Sequence, residues 1–235
     1  MRAWPAFVLL LATTAALSTN NLRDARFSCS LVGDSILAGL VAGDDGGFEP
    51  VAKVVVDQLR KLILTPVDLR VSAEPLRTAG QVEVALLEEL QSRRPDAVVI
   101  LAGTNDLWRC DSSAITTSLT RQYEACANAG VQHVVGLTLP PFTADATRWF
   151  SFVDLPRRIE QTRLTVNEDI RRAAPVLLDL AAEADADTTY ARPDGIHFTR
   201  EGYRALGLRV AETLEAALLG RAAPPRTAIY PGQPR

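Results

Sequence analysis

Gly33-Asp34-Ser35, Gly103-Thr104-Asn105-Asp106 and Asp194-Gly195-Ile196-His197 bring together a hydroxyl, an amide, and an imidazole with a carboxylate three residues before it. A serine hydroxyl becomes a useful nucleophile when a base near neutral pH takes its proton, and histidine suits that task best. A carboxylate on the far side of the ring fixes the tautomer, so Asp194 can accept the Nδ1 proton of His197 and leave Nε2 for Ser35. The side-chain NH₂ of Asn105 can donate to a developing oxyanion. These are the parts of acyl transfer through a serine. Each also has a plainer role: Ser35 as a helix cap, Asp194-Gly195 as a turn, Gly103 to Asp106 as a strand-to-helix connection. Position 37 is Leu, so the serine does not lie in the Gly-x-Ser-x-Gly nucleophile elbow. His133, the only other histidine, begins an apolar strand pattern and reads as structural.

The elements that must position these residues follow from hydrophobic periodicity. Strand patterns cover Arg26 to Val32, Val67 to Val71, Ala97 to Ala102, Val131 to Leu139 and Val176 to Leu180. Helical patterns cover Pro50 to Leu64, Gln81 to Ser92, Ser112 to Asn128, Pro156 to Ala173 and Thr199 to Leu219. The second of these helices is expected to bury Val84, Leu87 and Leu90, and the last to begin on a Thr199 cap. Ala97 to Ala102 is apolar at every position, as a strand buried on both faces should be. Such alternation predicts an α/β fold, a three-layer α/β/α sandwich around a five-stranded parallel sheet. Ligands bind such sheets beyond the carboxyl ends of the strands, where Ser35, Gly80, Asn105 and His197 all follow strands.

Composition narrows the function. The chain has 235 residues, 47% hydrophobic and 23% charged, with formal net charge −3. That is a core-forming chain without the basic face of a nucleic-acid binder. Arg2 and the apolar run Ala3 to Leu17, closed by Ala16-Leu17-Ser18, predict a signal peptide over 1–18 and a protein that is secreted or held in the secretory lumen. The run falls short of the ~20 residues of a membrane span. The catalytic domain is expected over 19–221, followed by a Pro-rich tail over 222–235. Of three cysteines, Cys29 reads as buried, while Cys110 and Cys126 fit either a bridge or two free thiols. No Cys/His spacing suggests zinc.

The Gly-Asp-Ser block, the single Gly80, Gly-Thr-Asn-Asp and Asp-x-x-His together resemble the SGNH/GDSL hydrolase superfamily over roughly Phe27 to Leu219. Leu137-Thr138-Leu139-Pro140-Pro141 and Asp194 to Tyr203 add to the resemblance. It implies Ser35 as nucleophile, His197 as base and Asp194 as its partner. It implies an oxyanion hole of the Ser35 and Gly80 backbone N–H groups with Asn105, no metal or organic cofactor, and a flavodoxin-like sheet order 2-1-3-4-5. Arg77-Thr78-Ala79-Gly80-Gln81 lacks the second glycine and the asparagine common in that block. Asp34 and Asp106 are expected to hold loops rather than to react. The implied activity is a serine esterase acting on short acyl or acetyl esters of small molecules, lipids or carbohydrates. A lysophospholipase or thioesterase, and a fold relative that binds without catalysis, are the alternatives. A nucleotide-binding reading fails because the first loop is poor in glycine and lacks a P-loop lysine. Trp108, Phe142, Trp149, Phe150 and Phe152 could line a pocket or anchor a loop.

Overall fold

A computed structural model of the chain describes residues 26–41, 47–63, 65–143, 155–186 and 188–221. The five strands are β1 (Phe27–Gly33), β2 (Val67–Ala73), β3 (Ala97–Leu101), β4 (His133–Leu137) and β5 (Val176–Leu178). All pair in parallel, in the order β2-β1-β3-β4-β5. The helices are α1 (Ser35–Ala38), α2 (Val51–Leu62), α3 (Ala79–Ser92), α4 (Ser112–Asn128), α5 (Leu155–Ala173), α6 (Leu180–Ala186) and α7 (Arg200–Leu218). The α/β architecture and the strand order are those expected from the sequence.

Every residue of β3 is buried, as its unbroken apolar run requires of a strand covered on both faces. In β1, Cys29, Leu31 and Val32 are also inaccessible. Each large side chain placed here contributes about 1.5–3 kcal/mol relative to exposure. The edge strand β2 alternates between half-buried and exposed residues, so its pattern is weaker. Cys29, Cys110 and Cys126 are all free, with burial pushing the Cys29 and Cys126 thiols up to about 12. The bridging alternative for Cys110 and Cys126 is therefore not the one found.

Two expectations are corrected. Val84 is 57% exposed and Leu87 also faces solvent; α3 instead buries Ala79, Val82, Ala85 and Leu86. Tertiary contact with β1 and α4 selects that face, while the Val84 and Leu87 spacing satisfied periodicity without a partner to cover it. The start of α3 also lies at Ala79 rather than Gln81. Thr78 accepts the Gln81 N–H, and the Gln81 side chain accepts the Thr78 N–H at 2.9 Å. That reciprocal box supplies two of the orphan N–H groups of a helix start. By contrast α7 begins on Thr199 as expected, its hydroxyl accepting the Gly202 N–H. The anticipated signal segment, the C-terminal tail, Trp149, Phe150 and Phe152 lie outside the described residues. Among the described residues no helix is long and apolar enough to cross a membrane.

Candidate active site

The end of β1 presents the serine. Gly33 pairs with Leu101 of β3, and a Cβ at Gly33 would stand 2.5 Å from the Leu101 carbonyl oxygen, so only glycine allows the two backbones this close. Asp34 then caps the single-turn α1, accepting the Ile36 N–H at 3.0 Å. The Ser35 carbonyl accepts the N–H groups of Gly39 and Leu40, closing the turn. Ser35 is 4% exposed, so its hydroxyl is held rather than solvated.

The histidine arrives from the loop before α7. Gly195 has φ +87, a left-handed conformation that costs an L-residue about 1–2 kcal/mol. This turn lets Asp194 Oδ1 accept the N–H groups of both Ile196 (2.9 Å) and His197 (2.7 Å). Phe198 locks the next step, meeting Tyr190 and Tyr203 edge-on at 5.2 and 5.4 Å. Asp194 Oδ2 lies 2.7 Å from His197 Nδ1, and His197 Nε2 lies 2.9 Å from Ser35 Oγ. An ionised carboxylate only accepts hydrogen bonds, so Nδ1 carries the ring proton and the serine O–H donates to Nε2. Burial alone would raise the Asp194 pKa. Hydrogen bonds from the ring and from the two backbone N–H groups, with attraction to His197, hold it below the usual carboxylate range. Asp194 therefore stays ionised at neutral pH.

Asn105 lies in a 3-10 turn, Thr104–Asp106, just beyond β3. It is 7% exposed, and one Nδ2 hydrogen is spent on the Arg77 carbonyl at 3.0 Å. An amide carries two such hydrogens, so this bond orients the group and leaves a donor. Asp106 reaches across to accept the Ala79 N–H at 2.8 Å, joining the start of α3 to the end of β3. It is a loop tie, as the sequence suggests. Gly80 sits in the first turn of α3, itself exposed, with nothing near the place a Cβ would occupy. His133 stands at the first residue of β4. In a parallel sheet that is the edge opposite Ser35, so the second imidazole cannot join the site.

Asp34 is the buried acid beneath the site. Desolvation pushes it up to about 6; the Ile36 N–H, the nearby Thr104 hydroxyl and the charge of His197 offset part of that, while Asp106 adds to it. Its Oδ2 makes no hydrogen bond of ordinary geometry. A carboxyl that holds its proton more tightly folded than unfolded opposes folding as pH rises, between its ordinary value and about 6. Relative to Asp34→Asn, the wild type is expected to lose about 1–2 kcal/mol of stability between pH 5 and pH 7.5. Urea unfolding of both proteins at the two pH values measures it, and parallel behaviour would refute the assignment.

Among the described residues no group of three His, Cys, Asp or Glu side chains could hold a metal ion. The four residues that the motifs nominated on side-chain chemistry, Ser35, Asn105, Asp194 and His197, stand at the carboxyl edge of the sheet, the first and last two in one hydrogen-bonded line. The Glu74-Pro75-Leu76-Arg77 turn against Asn105 was not legible in advance; Pro75 marks a turn, but nothing in the residue types marks its contact.

Comparisons with known proteins bear on the fold and the family. The fold matches a lipase/acylhydrolase from Enterococcus faecalis at 22% identity and TM-score 0.66, over 87% of this chain and all of that one. It matches Est24, a carbohydrate acetylesterase from Sinorhizobium meliloti, at 17% identity and TM-score 0.64, over 82% of this chain and 99% of that one. The native aryl esterase of M. smegmatis matches at 22% identity and TM-score 0.61, over 82% of this chain and all of that one. At these identities the likeness establishes the fold. No curated protein matches the sequence. Residues 31–205 match the GDSL-like lipase/acylhydrolase family, a span that holds both the serine loop and the histidine loop. The chain belongs to that family of ester hydrolases.

Proposed function

We propose that the protein is a serine esterase that cleaves carboxylic esters through an acyl-enzyme. The observation that carries this is the continuous line Asp194–His197–Ser35, with contacts of 2.7 and 2.9 Å. Ser35 Oγ attacks the ester carbonyl carbon as His197 Nε2 takes its proton. The tetrahedral oxyanion is held by Asn105 Nδ2 and the Ser35 backbone N–H, with a third backbone donor for which the resemblance names Gly80. Collapse expels the alcohol, which leaves with the proton from Nε2. Water, deprotonated by the same imidazole, then releases the acid and restores Ser35.

Enclosure supports a short acyl group. Ser35 and Asn105 are buried, and Trp108 and Phe142, flanking the site along the chain, pack against the core. Thr143 closes the loop after β4 by donating its N–H to the Gly195 carbonyl at 3.0 Å. A p-nitrophenyl ester series from acetate to laurate tests this, with kcat/KM expected to be highest for the shortest chains. Mass spectrometry after treatment with a small phosphonate ester should find one adduct, on Ser35; an adduct elsewhere, or none, would defeat the covalent mechanism. Export of the protein belongs to the same proposal and rests on Arg2 and the apolar run that follows it.

The pH dependence follows from the base. Protonated His197 cannot accept the serine proton, so kcat/KM should fall on the acid side. Asp34→Asn should keep that limb, because the limb belongs to the imidazole. A profile flat from pH 5 to 8 would remove His197 from the role.

A further inference from the structure

Leu76 is the one non-glycine among the described residues with positive φ, at +67. A bulky L-residue there is strained, and such strain persists only where the surroundings over-determine it. Here they do. Pro75 has its own φ fixed near −65°, so a positive φ at the next residue makes Glu74-Pro75-Leu76-Arg77 a type II turn. Glu74 N–H donates to the Gly33 carbonyl at 3.2 Å. Arg77 reaches back to the Ser72 carbonyl at 2.8 Å and pairs with Glu74 at 2.9 Å. Its own carbonyl receives Asn105 Nδ2 at 3.0 Å. The turn is therefore clamped between Gly33, two residues before the nucleophile, and the amide of Asn105. In a type II turn the central peptide is flipped relative to type I, so the left-handed residue decides where its own N–H points. Leu76 is 76% exposed and lies outside the core, so core packing does not explain why the strain is kept. Among the described residues its N–H has no hydrogen-bond partner.

The first turn of α3 is a poorer place for a developing negative charge. Its Ala79 N–H is taken by the Asp106 carboxylate at 2.8 Å and its Gln81 N–H by Thr78. An anion already sits at that helix end, and a second would be repelled.

We propose that the third oxyanion donor is the backbone N–H of Leu76, presented by the strained turn that Asn105 and Gly33 hold in place, rather than that of Gly80. This rests on the esterase reading above.

The test replaces single amides by esters, inserting leucic acid at position 76 or glycolic acid at position 80, and reads kcat and KM on p-nitrophenyl acetate. Loss of the N–H at 76 should lower kcat by about 100-fold with little change in KM. Leu76→Gly keeps the N–H and relieves the strain, so it should lose far less than the ester variant. A fall at 80 in place of 76, an ester variant at 76 as active as the wild type, or an equal loss in Leu76→Gly would each overturn the assignment. A wild type no faster than Ser35→Ala would overturn the esterase reading and this one together; an active wild type with an unimpaired ester variant at 76 would overturn this one alone.

Discussion

Ser35→Ala should reduce kcat/KM for ester hydrolysis by about 10⁴- to 10⁶-fold while leaving the fold intact. The size follows from what the hydroxyl does. Without it no acyl-enzyme forms, and His197 can only activate water against a carbonyl held at some remove. The donors around the oxyanion survive, so a residue of catalysis over free water should remain. Stability should barely change, because the side chain's hydrogen bond runs to His197, whereas the turn is closed through the Ser35 carbonyl, which alanine keeps. Steady-state kinetics alongside thermal melts would decide the matter. A variant that melts normally and retains a tenth of the activity would mean that the nucleophile is elsewhere.

Asp194→Asn is expected to lower kcat by about 10³- to 10⁴-fold, through the tautomer rather than the geometry. Asp194 Oδ1 already accepts two backbone N–H groups, from Ile196 and His197. In the variant the amide oxygen must keep that position, because an NH₂ there would meet two donors. The NH₂ then faces His197 Nδ1, which has to accept. The ring proton moves to Nε2, where it points at Ser35 Oγ and blocks proton transfer. Such a variant should bind substrate with an ordinary KM and recover part of its rate at high pH, where a direct hydroxide route takes over. An unchanged kcat would show that Asp194 orients nothing.

Much of the architecture could be read from residue types. Ala97 to Ala102 announces a central strand because a parallel strand covered on both faces tolerates no polar side chain. The observed β3 ends one residue earlier, since Ala102 already leads into the Gly103 turn. Thr199 announces the start of α7 because a hydroxyl one residue ahead of a helix meets an orphan N–H. The candidate site was legible for a similar reason. Serine, histidine, aspartate and asparagine each have a chemistry that few other side chains offer; Ser35 and Asn105 stood just past predicted strands, and Asp194 and His197 just before a predicted helix. What stayed hidden depends on backbone conformation and on partners far along the chain. Periodicity assigned Val84 and Leu87 to the buried face of α3, yet which face is covered depends on where α4 and β1 lie. Gly80 is the backbone donor that the resemblance implies; the left-handed turn falls at Leu76, a residue type that gives no sign of it. A backbone N–H carries no signature in the residue that bears it; its direction is set by φ and ψ, and here those are imposed by Pro75 and Arg77 within the turn and by Asn105 from beyond β3. Residue identity determined which groups could react, and tertiary contacts alone determined that Ser35 and His197, 162 positions apart, stand 2.9 Å from each other.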